Sequence, residues 1–376
     1  MSVEDKAEPK ARKLKSNKSN YLKPNTGDYP EEMPFGGRTL EKVMDLRYGE
    51  NPHQNAAFYR DPDSEGASIG HAEMAYQGKK IMSAINVIDA NDAFLIMSDL
   101  MDLHGGEVAI AVPVKHGTPS GVGLSYDGDL VEAFRRSEEP DPLSIFGCTM
   151  AVNRSVDMPF AEAVSHLLLE CIVAPGYEPD AKEFITSKKK NIRLMATGDL
   201  ERRASMDMEI IPVTGGLVVQ QPFYTRIATD ENLEVVTDRA PTPEEYKALH
   251  AMWRICARVK SNSVILGDQY QTFGIGTGQM SRVASSRIAI YNANEVFGGG
   301  GKDKARGSVG ASDAFFPFPD GPELLAEAGM RAIVYPLGSQ KDAETIEVWN
   351  RYEIAGVCTR PIPGTPEIER GFAGHR

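Results

Sequence analysis

The sequence predicts an α/β protein, on three features. Short apolar runs of strand length, such as EVAIAVPV at 107–114, sit between longer segments with helical spacing. One of those segments opens with a capping box, Thr242-Pro243-Glu244-Glu245. The stretch 324–359 then reads helix, strand, helix, strand. Such alternation implies parallel pairing, with helices on the sheet faces.

The elements follow in order. Residues 1–36 are polar, Lys-rich and poor in apolar side chains, so they read as a disordered basic tail that cannot offset its ordering entropy. From Arg38 the α/β pattern begins. NVIDANDAFLIMSDLMDLHGG (86–106) carries Ile88, Phe94, Met97 and Met101 at helical spacing, with Gly105 and Gly106 as a stop. EVAIAVPV reads as a buried strand ending at Lys115. GCTMAVN (147–153) is a second strand, DMPFAEAVSHLLLE (157–170) a helix, and CIVAPG (171–176) the strand after it. After the capping box, Tyr246, Leu249, Trp253, Cys256 and Val259 form a core stripe. SVILGDQYQTFGIG (263–276) reads as a hairpin, and GQMSRVASSRIAIYNANEVF (278–297) as a helix opening just after Gly278. No short-period repeat is visible, although two α/β halves fit the pattern.

Composition narrows the function. A chain of 376 residues with 41% hydrophobic and 25% charged residues is long enough for a sizeable core. A net charge of −12 argues against general nucleic-acid binding, which needs a basic face, but leaves room for a small basic pocket. No apolar run approaches the ~20 residues that span a bilayer. The N-terminus lacks the apolar stretch of a secretory signal. Cys148, Cys171, Cys256 and Cys358 are too widely spaced for a metal pair or a disulfide framework, which favours the cytoplasm.

Two glycine clusters resemble nucleotide motifs and fail. GIGTGQMSR (274–282) has Gln279 where a dinucleotide fingerprint needs its third glycine, and it follows a hairpin. GGGGKDKARGS (298–308) has Asp303 where a phosphate loop needs Ser or Thr. The His-x-Glu and Pro-Cys-x-x-Cys of a zinc deaminase are absent. More informative is AVPVKHGTPSGVG (111–123), where Lys115 and His116 follow an apolar run and precede turn formers. A Lys-His pair at a strand end is ordinarily a solvated rim. The glycines and proline sharpen the turn and let a ligand approach the backbone. Loops at the carboxyl ends of parallel strands are also where α/β folds bind ligands.

Eight blocks occur in order: LRYGENPHQ (46–54), KHGTPSG (115–121), DPLSIFG (141–147), IVAPGYEPDA (172–181), SKKKN (187–191), SNSV (261–264), GIGTGQMSR (274–282) and ASDAFFPFPDG (311–321). Together they resemble the formyltransferase half of the AICAR transformylase/IMP cyclohydrolase family, over roughly residues 40–376. The resemblance implies a free-standing formyltransferase without the cyclohydrolase half. It also implies two cytidine-deaminase-like α/β/α subdomains without zinc, at 37–230 and 231–376. A homodimer with sites at the subunit boundary, and in some members a potassium ion, come with it.

The implied reaction moves a formyl group from 10-formyltetrahydrofolate to the 5-amino group of AICAR, in purine biosynthesis. That amine is conjugated and a poor nucleophile, so a base must take its proton as it attacks. Imidazole exchanges protons near neutral pH, and His116 matches the family's base. The attack builds an oxyanion, which a cation and an amide donor stabilise, and Lys115 and Asn262 match those positions. Arg47, Tyr48, Lys190 and Arg370 match phosphate and nucleotide contacts. Gly147, Glu170, Arg282 and Phe315 match further nucleotide contacts, with Glu170 on the ribose and Phe315 on the imidazole ring. Val283, Asp320, Ser339 and Gln340 match folate contacts. The chain departs from the family at Thr118, in residues inserted before Arg370, and in a shortened 297–315 stretch. A formyltransferase for another amino-heterocycle nucleotide and a non-catalytic AICAR-binding protein are the competing readings.

Overall fold

The computed structural model describes residues 27–204, 208–222 and 233–359. A small antiparallel sheet comes first, from β1 (Glu32–Phe35), β2 (Arg38–Asp45) and β3 (Ala57–Arg60). β1 pairs with β2 through Phe35 and Arg38, so the ordered chain begins before residue 36 and the expected tail is shortened. Residues 1–26 of that tail lie outside the described residues.

The first large sheet has seven strands: β4 (Glu73–Gln77), β5 (Ala109–Lys115), β6 (Thr118–Pro119), β7 (Gly123–Ser125), β8 (Cys148–Val152), β9 (Leu169–Ala174) and β10 (Arg193–Ala196). Its helices are α1 (Ala84–His104), α2 (Leu130–Glu138), α3 (Met158–Ala163) and α4 (Pro179–Lys188). A hairpin, β11 (Glu209–Val213) and β12 (Gly216–Gln220), follows. The six-stranded second sheet uses β13 (Leu233–Val235), β14 (Val264–Gly267), β15 (Thr272–Gly276), β16 (Val309–Ser312), β17 (Ala332–Tyr335) and β18 (Ala355–Thr359). With it go α5 (Pro243–Cys256), α6 (Arg282–Tyr291), α7 (Asp320–Glu327) and α8 (Asp342–Arg351).

The α/β class is as the sequence predicts, and the halves repeat one topology. The sheet orders β4-β10-β9-β8-β5-β6 and β13-β18-β17-β16-β14-β15 match strand for strand. In each, three central strands are parallel and both flanking strands antiparallel. A short sequence pair marks the repeat: Gly121-Val122-Gly123 in one half, Gly274-Ile275-Gly276 in the other. A Cβ on Gly123 would strike the Ala133 carbonyl of α2, and one on Gly276 the Ser285 carbonyl of α6. The glycines that imitate a nucleotide motif are there to let a helix lie close against a strand.

Strand alternation divides the core into layers. In β5, Ile110, Val112 and Val114 face one cluster while Ala109 and Ala111 face another. In the second sheet Ile265 and Val334 turn towards the first of these, and Leu266, Ile333 and Tyr335 towards a third. The shared cluster holds α1 and α5, so both helices lie between the two sheets. The remaining helices cover the outer faces. α1 departs from the expected single stripe: a helix flanked on both sides buries residues around much of its circumference, polar ones included. α1 buries Val87, Ala90, Phe94 and Met97, while Ile88 points out at 44% exposure.

Two boundaries also move. The helix expected over 157–170 stops at Ala163, a short 3-10 turn covers Val164–His166, and β9 begins at Leu169. The helix expected from just after Gly278 starts at Arg282, capped by the Ser281 hydroxyl. The Thr242 cap forms as expected, with Thr242 Oγ1 accepting from the Glu245 N–H and the Glu245 carboxylate accepting from the Thr242 N–H. No helix among the described residues is long and apolar enough to cross a membrane.

Candidate active site

Lys115 ends β5, and Val114 pairs with Thr149. Because β5 runs antiparallel to β8, its carboxyl end lies at the amino ends of β8, β9 and β10. The expectation of a site at the carboxyl ends of parallel strands is corrected here: antiparallel pairing brings Lys115 to the opposite edge. Lys115 Nζ donates to the Phe146 carbonyl at 2.8 Å. Beside it, Gly147 takes a φ of 82° and donates its N–H to Leu168 O at 2.7 Å, so this close turn needs a glycine.

His116 is exposed and holds a φ of 55°, with Gly117 at 73°. A non-glycine residue rarely sits in this left-handed region without support. The support comes from α1. Asp89 Oδ2 accepts from the His116 N–H at 3.1 Å, and Oδ1 accepts from the Gly117 N–H at 2.7 Å. Burial raises the Asp89 pKa above the usual carboxylate value, against the lowering effect of those two N–H groups.

The same edge collects the other residues expected from the first half. Glu170, in β9, is paired with Arg193 of β10. Arg193 is fully buried and also donates to the carbonyls of Lys80 and Ile81 at 3.1 and 2.9 Å. Arg47 donates its N–H to Met82 O at 2.7 Å, and its guanidinium lies over the Tyr48 ring at 4.7 Å. Its buried Nε has no hydrogen-bond partner. Lys190 is exposed and its carbonyl accepts from the Lys79 N–H, which brings two lysines together. Neighbouring Lys189 is used differently: its ammonium donates to the carbonyls of Ser165 and Leu167, and burial lowers its pKa.

The second-half residues gather elsewhere. Asn262, Arg282, Val283, Phe315 and Asp320 line a cavity of about 530 Å³. Asn262 precedes β14, whose Val264 pairs with Ser312 at the end of β16, so this cavity does lie at the carboxyl end of parallel strands. Asn262 Nδ2 donates to Gln279 O at 2.8 Å, and its Oδ1 accepts from Arg282 Nη2 at 2.7 Å. Arg282 is buried at 5% exposure and ion-paired with Asp313, so it orients the Asn262 amide. In AFFPF, Phe316 is core, whereas Phe315 is 39% exposed on the cavity wall. A Cβ added to Gly338 would lie 3.4 Å from the Phe315 ring, so the chain carrying Ser339 and exposed Gln340 passes near it, although neither residue lines the cavity. Arg370 lies outside the described residues.

One chain therefore divides the expected residues between two places. Lys115 and His116 line a different cavity, of about 330 Å³, with Thr118, Asp141, Phe273 and Asn292. Asp89, Arg193 and Asp313 escaped the sequence reading. The signal for Asp89 was present: an acidic residue next to apolar Ile88 and Ala90 in a core helix has to find a partner once buried.

Residues 12–292 match the family profile described as "AICARFT/IMPCHase bienzyme". The chain belongs to the AICARFT/IMPCHase bienzyme family. It is 44% identical over 321 residues to the "Bifunctional purine biosynthesis protein PurH" of Sorangium cellulosum (strain So ce56), covering 85% of this chain and 58% of that protein. The protein of the same name from Bacillus cereus (strain AH820) is 41% identical over 343 residues, covering 91% of this chain and 62% of the relative. The chain thus spans less than two thirds of the length of these family members.

Proposed function

We propose that this chain by itself transfers a formyl group from 10-formyltetrahydrofolate to the 5-amino group of AICAR, giving formamido-AICAR in purine biosynthesis. The supporting observation is the Lys115–His116 turn, which brings a lysine and a histidine, adjacent in sequence, to the wall of one cavity. In this reading the amine nitrogen attacks the formyl carbon while His116 takes its proton. The new C–N bond forms, the bond from the formyl carbon to the folate N10 breaks, and N10 receives a proton. Lys115 and Asn262 stabilise the oxyanion between those steps. Arg47, Tyr48, Lys190 and Arg370 would hold the phosphate. Gly147, Glu170, Arg282 and Phe315 would frame the nucleoside, and Val283, Asp320, Ser339 and Gln340 the folate.

The separation of Lys115 and His116 from Asn262 supports a homodimer in which each site draws on both copies. Subdomains at 37–230 and 231–376 and a cytoplasmic location complete the proposal. Potassium enters without assigned ligands. The described residues hold no group of three or more His, Cys, Asp and Glu side chains suited to a metal ion, and K+ would draw on neutral oxygens.

The test is an assay of the purified chain with AICAR and 10-formyltetrahydrofolate, following tetrahydrofolate release. Turnover that falls by about 10²–10⁴ in His116→Ala supports the proposal. Binding of AICAR without turnover would make the protein a nucleotide binder. Turnover only with a different amine would make it a paralogous formyltransferase, with Thr118 on the cavity wall the first residue to exchange.

A further inference from the structure

We propose that Asp89 is a positioning residue for His116, a carboxylate clamp that holds the base in the left-handed turn from which it reaches substrate. The inference rests on the formyl-transfer reading. Both oxygens of Asp89 are engaged, one on each of two consecutive backbone N–H groups, at 3.1 Å from His116 and 2.7 Å from Gly117. Asp89 is 5% exposed and rides on α1, between the two sheets. The turn is therefore referenced to the most buried helix layer of the molecule and not to the surface loop that carries it.

The backbone explains why such a clamp is needed. His116 and Gly117 both have positive φ, at 55° and 73°. A histidine left to itself favours negative φ. Released from the carboxylate, His116 would relax, and its ring would swing with the backbone. Asp92 closes the other side: a Cβ added to Gly117 would lie 3.3 Å from Asp92 Oδ2. A displacement of about 1 Å in a catalytic group costs roughly 10²-fold in rate.

The variants are Asp89→Ala, which removes both acceptors, and Asp89→Asn, which keeps one oxygen and sets an NH₂ against the other N–H. Asp89→Ala should lower kcat about 10²-fold. Asp89→Asn should lower it roughly tenfold, since one charge-assisted hydrogen bond is exchanged for a neutral one. The KM for AICAR should stay within about threefold in both, because the phosphate contacts are untouched. Thermal midpoints measured alongside identify a variant that fails to fold, and Asp89→Asn is the milder change. A second readout is independent of turnover. Histidine labelled with ¹⁵N gives a spectrum of only seven histidines, in which His116 is assigned by its loss in His116→Ala. Its amide proton should move upfield in Asp89→Asn as the carboxylate bond weakens. Unchanged kcat in both variants, a rise in KM with kcat preserved, or an unmoved His116 amide would each overturn the proposal. Absence of turnover in the wild-type protein would instead count against the formyl-transfer reading, while the amide shift would still report on the clamp.

Discussion

At the scale of single residues, neighbours in sequence have opposite duties. Phe315 faces the cavity and Phe316 the core, so their truncations should separate. Phe316→Ala should destabilise by about 3–5 kcal/mol in urea unfolding. Phe315→Ala should cost less than about 1 kcal/mol and raise the KM for nucleotide. Equal losses of stability would contradict that assignment. Arg282 offers a second case. Removing one partner of a buried ion pair leaves the other uncompensated, so Arg282→Ala should lose about 3–5 kcal/mol through Asp313. An unchanged unfolding midpoint would mean that the pair carries no weight. The residue types at the site were legible from sequence, because His116, Lys115 and Asn262 sit in distinctive motifs. Their supports were not, because Asp89, Arg193 and Asp313 act from distant positions in the chain through buried hydrogen bonds.

At the scale of elements, end signals read well and lengths read poorly. The Thr242 capping box forms as written, and Thr242→Ala should lower stability by about 1 kcal/mol, measurable as a shift in urea midpoint at constant slope. Gly276→Ala should be far worse, since the added methyl meets the Ser285 carbonyl where α6 crosses β15. A soluble, normally folded Gly276→Ala protein would refute that packing account. The shortened helix after Asp157 has a tertiary cause. Leu169 is claimed by the parallel ladder with β8, and β-pairing there overrides a run of good helix formers.

At the scale of the molecule, the two halves meet at α1 and α5. Arg258 of the second half donates from Nε and Nη2 to the two carboxylate oxygens of Asp99 in the first, at 2.5 and 3.1 Å. At the end of α1, His104 stacks edge-on against Tyr126, which in turn meets Tyr270 across the boundary. Burial lowers the His104 pKa from 6.5 to about 4, with help from the charges of Arg254, His250 and Lys247. The unfolded chain takes up that proton near pH 6.5, and the fold resists it until about pH 4. The contribution of His104 to stability is therefore fully present above pH 6.5 and is lost as pH falls towards 4, by about 3 kcal/mol. His104→Gln should flatten the fall in thermal midpoint across that window, and an identical profile in both proteins would exclude His104 as its source. The sequence by itself determined the α/β class, the capping signals and the residue types of the site, because period, caps and motifs are local. Only the tertiary structure decided that β5 runs against β8, that the halves repeat one topology, and that His116 and Asn262 of one chain face different cavities. Strand direction and the meeting of distant elements depend on contacts across hundreds of residues, to which no local pattern is tied.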